Sequence, residues 1–199
     1  MSGKIHRYEI LEESALLPGV GPFPEPDFWS NEHPIMAICE PAIRAGQDTG
    51  DWIFHVPKVG ETTSGPKHQI AGMLKIKEKL DARQIINDDR FSEEWTKRFK
   101  IDLADCGHLI DDLLDNGNEN ISTVQGRVTN HLVGHPNESK WFGASDVDIR
   151  TVANDIGISL GSFGGQQVAE IPDGEADRLA DELSNRLEEE VGTPPNAVF

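Results

Sequence analysis

One stretch constrains this chain more than any other. An apolar run, Pro34-Ile35-Met36-Ala37-Ile38, leads into Cys39-Glu40-Pro41-Ala42-Ile43-Arg44. A short polar loop follows, and then Gly50-Asp51-Trp52-Ile53-Phe54-His55-Val56. Apolar strand, proline stop, arginine, Gly-Asp turn and second apolar strand together predict a sheet that carries polar groups beside it. Arg44 is the focus. Pointed inward, a guanidinium requires polar partners, because burying it alone is too costly.

The rest of the chain supports a mixed architecture. Lys4 to Leu11 alternates enough to form a strand, and His68 to Leu80 predicts a long one with Ile70, Gly72, Leu74 and Ile76 on a shared face. Asp81 is placed to cap a helix starting at Ala82, and Ser92-Glu93-Glu94-Trp95 reads as a second cap. Ser122 to Val133 and Lys140 to Phe142 are further strand candidates, while Asp105 to Asn118 reads either way. Asp146 is a candidate cap for a helix over Val147 to Ile156. Asp173 to Val191 is a strongly amphipathic helix, with Ala176, Leu179, Ala180, Leu183, Leu187 and Val191 along one side and acids on the other. The expectation is an α+β fold with a mostly antiparallel curved sheet, or a barrel, flanked by helices. Residues 1–145 form the main domain, and 146–199 an acidic helical extension packed on it.

Composition limits function. Of 199 residues, 37% are hydrophobic, and the formal net charge is -17. A chain this acidic repels polyanions, which disfavours tight non-specific binding to duplex DNA. The acidity reflects a basic partner or a halophilic source, where salt screens an acidic surface. No run approaches the ~20 apolar residues that cross a bilayer. No signal-peptide core stands at the start, so a cytoplasmic protein is expected. Two cysteines, Cys39 and Cys106, make no disulfide framework.

Candidate chemistry follows from residue types. Asp51 is a turn residue, a reader of a base amino group or a general base. Trp52 and Trp141 are core residues or stacking platforms. Phe28 and Trp29, in a proline-rich loop with Phe23, form a lid on the core or one wall of a ligand pocket. Arg44 either clamps an internal acid such as Asp48 or Asp51, or forks a phosphate or base edge. His131 is a candidate base for a Cys39 nucleophile. His131 and His135 are four apart, but Gly134 and Pro136 oppose a helix there, so no metal and no cofactor are expected. Gly161-Ser162-Phe163-Gly164-Gly165 lacks the lysine and hydroxyl of a phosphate loop.

At Cys39-Glu40-Pro41-Ala42-Ile43-Arg44 and Gly50-Asp51-Trp52-Ile53 the chain resembles the nucleotide-modification-associated domain family, small domains found beside DNA-modification and restriction genes. The likeness extends over roughly residues 5–145. It takes in Asp88-Asp89-Arg90-Phe91, Asn130-His131-Leu132 and Trp141-Phe142-Gly143. After Gly50-Asp51-Trp52 the family often has a Gly-Thr-Gly-Ser-like turn, where this chain has Phe54-His55-Val56-Pro57. The Gly-Asp-Trp entry is also similar to that of PUA-like barrels, which take a flipped base into a small pocket. The resemblance implies binding of a nucleotide or modified base, free or in single-stranded or flipped-base DNA. It implies a role in DNA modification or defence, with Arg44, Asp51, Trp52, Trp29, Phe28, Trp141 and Asn130 around the ligand. Two other classes compete. One is a transferase or hydrolase acting on a nucleotide, with Asp51, His131 or Cys39 as its reacting groups. The other is a scaffold that forms a homodimer through Asp173 to Val191.

Overall fold

The computed structural model describes residues 2–9, 33–36, 41–58, 68–105, 128–142, 145–161 and 168–191. Within them lie seven strands and five helices. The strands are β1 (Gly3–Glu9), β2 (Ile35–Met36), β3 (Trp52–Lys58), β4 (Gly72–Leu80), β5 (His131–Gly134), β6 (Lys140–Trp141) and β7 (Val168–Ile171). The helices are α1 (Pro41–Ala45), α2 (Ala82–Ile86), α3 (Glu93–Asp105), α4 (Ile149–Asp155) and α5 (Ala176–Val191). The fold is α+β, as the alternating apolar patterns predict.

The chain divides into two compact units that interleave along the sequence. One comprises Met1–Leu11, Asp51–Met73 and Trp141–Phe199, and the other Glu12–Gly50 and Leu74–Lys140. Helices α4 and α5 and strand β7 share a core with β1 and β3.

In the first unit β1 is central. It pairs parallel with β3, in the register Ile5 opposite Phe54 and His6 opposite His55, and antiparallel with β7. Ile5, Trp52, Phe54 and Val56 build one core with Val152, Ala153 and the stripe Ala176, Leu179, Ala180, Leu183 and Leu187 of α5. Each buried leucine of that stripe contributes roughly 1.5–3 kcal/mol by leaving water. The apolar side of the C-terminal helix is therefore occupied within its own unit. A homodimer through this helix would have to use its polar side, where Asp181 is exposed.

In the second unit β5 pairs antiparallel with both β2 and β4, and a register shift falls between Ile76 and Glu78. A second core joins Ile35 and Val133 to Ala82 and Ile85 of α2 and to Phe91, Trp95 and Phe99. Gly134 is required here by close approach. A Cβ at this position would lie 2.7 Å from Ser139 Oγ, 2.9 Å from Pro34 Cγ and closer still to Leu74 Cδ1.

Two expectations change. The described sheet is open and mixed, not closed into a PUA-like barrel; β1 pairs parallel with β3, while the β1–β7, β2–β5 and β4–β5 pairings are antiparallel. Helix α4 is capped by Asp148, whose side chain accepts from Thr151 N, two residues later than the expected Asp146. The structure decides this because Gln69 and Asp148 form an isolated bridge that fixes the chain as extended up to the cap. The Asp81 cap is present as a full capping box with Gln84, and Ser92 Oγ accepts from Trp95 N at the start of α3. Ile70, Met73, Leu74 and Ile76 are all buried, so the strand is covered on both faces at its N-terminal half.

Candidate functional site

Arg44 lies in the last turn of α1, and none of its surface reaches solvent. Its Nη1 donates to the Thr129 carbonyl at 2.8 Å and meets His131 Nδ1 at 2.9 Å. A guanidinium only donates, so the imidazole nitrogen accepts. Phe99 packs edge-on against the His131 ring at 5.3 Å. Asn130, between the two acceptors, has φ 56, the single left-handed non-glycine backbone among the described residues. Asparagine tolerates that conformation better than most residues. It turns the chain so that Thr129 and His131 both face Arg44.

This cluster brings together Arg44, Asn130 and His131 within the second unit. The first two were expected beside a ligand and the third as a base. Arg44 and His131 are fully buried and satisfied in part by each other, an internal clamp. The carboxylates expected to clamp Arg44 are not the partners seen in these two bonds. Lys79 Nζ joins the region by donating to the Ala45 and Gln47 carbonyls at the end of α1.

Asp51 and Trp52 belong to the first unit and are engaged there. Asp51 Oδ1 accepts from Ser2 N at 2.8 Å, and Trp52 N donates to the Ser2 carbonyl at 3.1 Å. The Trp52 indole donates to Asp177 Oδ1 at 2.8 Å and its ring stacks on Phe54 at 6.0 Å. Trp52 is thus a core residue with its polar edge held by α5. Trp141 is half-buried in the same unit. Phe28, Trp29 and Cys39 lie outside the described residues. Among the described residues no cluster of three or more His, Cys, Asp or Glu side chains is arranged to hold a metal.

A cleft of about 680 Å³ opens on the second unit, along the α2–α3 connection and the first two turns of α3. Its size falls within the range of small-molecule sites, roughly 300–1,000 Å³. Ile86 and Phe91 supply apolar wall, Asn87, Ser92 and Thr96 supply hydrogen-bonding groups, and Asp88, Asp89, Glu93, Lys97 and Lys100 supply charge. The local sequence dictates this shape. The α2 helix stops at Ile86, Asp88 takes the Phe91 amide on its backbone carbonyl, and Ser92 starts α3. Arg90 staples the connection by donating to both Asp88 oxygens (2.9 Å from Nε to Oδ1) and to Glu78. These bonds hold the Asp88 and Glu78 carboxyls below the usual carboxylate range and raise Arg90.

Behind the cleft runs a ladder of rings. Phe91 stacks on Trp95 at 5.1 Å, Trp95 on Phe99 at 5.2 Å, and Phe99 meets His131. The first three are spaced by four residues, which on a helix and its cap puts them on one face. That spacing was visible in the sequence, and so was the Glu93-x-x-x-Lys97-x-x-Lys100 pattern. Neither pattern predicts a cleft without the fold. Asp88, Asp89 and Phe91 line the cleft, with Arg90 bonded to Asp88.

No family model, curated protein or solved structure matches the chain. Among the described residues no helix is long and apolar enough to cross a membrane.

Proposed function

We propose that this protein binds a nucleotide or modified base, in a setting of DNA modification or defence, and that the ligand occupies the cleft on the second unit. The observation that carries the reading is the pairing, in one cleft, of two lysines on successive turns of α3 with a short apolar wall and several neutral hydrogen-bonding groups. Ammonium groups suit a phosphate, and the apolar wall suits the flat part of a base. The resemblance to nucleotide-modification-associated domains supports the same ligand class, and its acidic Asp-x-Arg-Phe-like element lies at this cleft. Arg44 then acts from behind. It fixes Thr129 and His131, and His131 backs the ring ladder that holds Phe91 in place.

Calorimetric titration of the whole chain with nucleoside 5′-monophosphates, nucleosides and free bases tests this. Monophosphates are expected to bind and to raise the melting temperature. Lys97→Ala/Lys100→Ala is expected to weaken them at least ten-fold without changing the melting temperature of the free protein. No binding by any of these ligands, or unchanged binding by the double variant, overturns the reading.

A further inference from the structure

We infer that the cleft selects a phosphate monoester whose far end bears an amino group, an inference that rests on the nucleotide reading above. Charge is separated along α3. Glu93 opens the helix, while Lys97 and Lys100 follow one and two turns later. At 1.5 Å per residue the lysines stand about 6 and 10 Å further along the axis. Both ammonium groups are exposed, and among the described residues neither forms an ion pair. Two adjacent ammonium charges match the charge of one phosphate monoester near neutral pH.

The opposite end is acidic. Asp88 is already bonded to Arg90, but Asp89 and Glu93 are exposed at the cleft lining. A carboxylate only accepts hydrogen bonds when ionised. It therefore favours an amino-bearing ring, as in cytosine or adenine, and disfavours one that presents a carbonyl there. The same carboxylates oppose a longer phosphate chain, whose added negative charge would extend toward them or into solvent without a further cation. Selection by a buried or half-buried polar group that would otherwise lose its partner is the stronger form of discrimination. Here the acceptors are exposed, so the expected preference is moderate.

The test is calorimetry on the full chain with two matched pairs, cytidine against uridine 5′-monophosphate and adenosine against inosine 5′-monophosphate, plus cytidine 5′-triphosphate. The amino-bearing member of each pair is expected to bind about ten-fold tighter, and the triphosphate no tighter than the monophosphate. Asp89→Asn/Glu93→Gln is expected to erase the preference while uridine 5′-monophosphate binds the variant at least as well as the parent. Equal binding within each pair, a tighter triphosphate, or a preference that survives the double substitution overturns this inference and leaves the nucleotide reading standing. Failure of every nucleotide to bind overturns both.

Discussion

Arg44→Met is the most informative single perturbation. Methionine keeps much of the unbranched stem volume and removes the guanidinium. The Thr129 carbonyl and His131 Nδ1 then lose a donor at 2.8 and 2.9 Å, the first part-buried and the second fully buried. Hydrogen bonds to a charged group are worth roughly 1.5–3 kcal/mol each. Leaving a buried acceptor without its donor costs roughly 1–3 kcal/mol per group. Relief of the guanidinium's own desolvation lowers the sum of the two bonds, so a loss of about 3–5 kcal/mol is expected. For a chain of this length that corresponds to a melting temperature lower by about 6–20 °C, at roughly 2–4 °C per kcal/mol. The assay is thermal and urea unfolding followed by far-ultraviolet circular dichroism and Trp fluorescence. A double-mutant cycle with His131→Leu adds the decisive comparison. The double variant is expected to be less destabilised than the sum of the singles by at least about 1 kcal/mol, since the pair lie in contact. A loss below about 1 kcal/mol for Arg44→Met, or strict additivity, refutes the clamp.

Four further outcomes follow from the same structure. Trp52→Phe removes the indole donor to Asp177 and is expected to cost about 2–3 kcal/mol, with Asp177→Asn milder because its amide oxygen still accepts; equal effects in urea unfolding would contradict this. Asn130→Gly is expected to be near neutral, whereas Asn130→Val, forced to a left-handed backbone, is expected to cost about 1–2 kcal/mol; equal stabilities would show that φ is relaxed in solution. Gly134→Ala is expected to lose about 1–3 kcal/mol because the Pro34 ring and the Ser139 hydroxyl cannot both withdraw, and an unchanged urea midpoint would refute the crowding. Burial, and secondarily the adjacent His6, push His55 well below its ordinary range, so the unfolded chain binds the extra proton first. Stability is full above the unfolded value near 6.5 and falls as pH drops below it, by up to about 1.4 kcal/mol per pH unit. Urea midpoints from pH 8 to 5 measure that slope, and His55→Gln is expected to flatten it.

How much was legible in advance depends on the range of the interaction. The capping signals at Asp81 and Ser92 were readable because a cap satisfies orphan amides within three residues. The C-terminal stripe from Ala176 to Leu187 was readable because a helix repeats every 3.6 residues whatever it packs against. The cap of α4 moved from Asp146 to Asp148 because both are competent locally, and a bridge from Gln69, far along the chain, chose between them.

For the candidate site the division is sharper. The sequence by itself determined that Arg44 would need polar partners, since a buried guanidinium without them is too costly in any fold. It also set an acidic chain with α+β patterning. Only the tertiary structure decided which partners: a carbonyl and an imidazole carried by the turn at 129–131, far along the chain from α1. The same holds for the open, mixed strand order and for the cleft, where Ile86 and Lys100 become walls of one space. Local rules act over a few residues and are written in sequence spacing. Pairings between distant segments are chosen by competition among many packings of similar local cost, and no spacing in the chain records which of them wins.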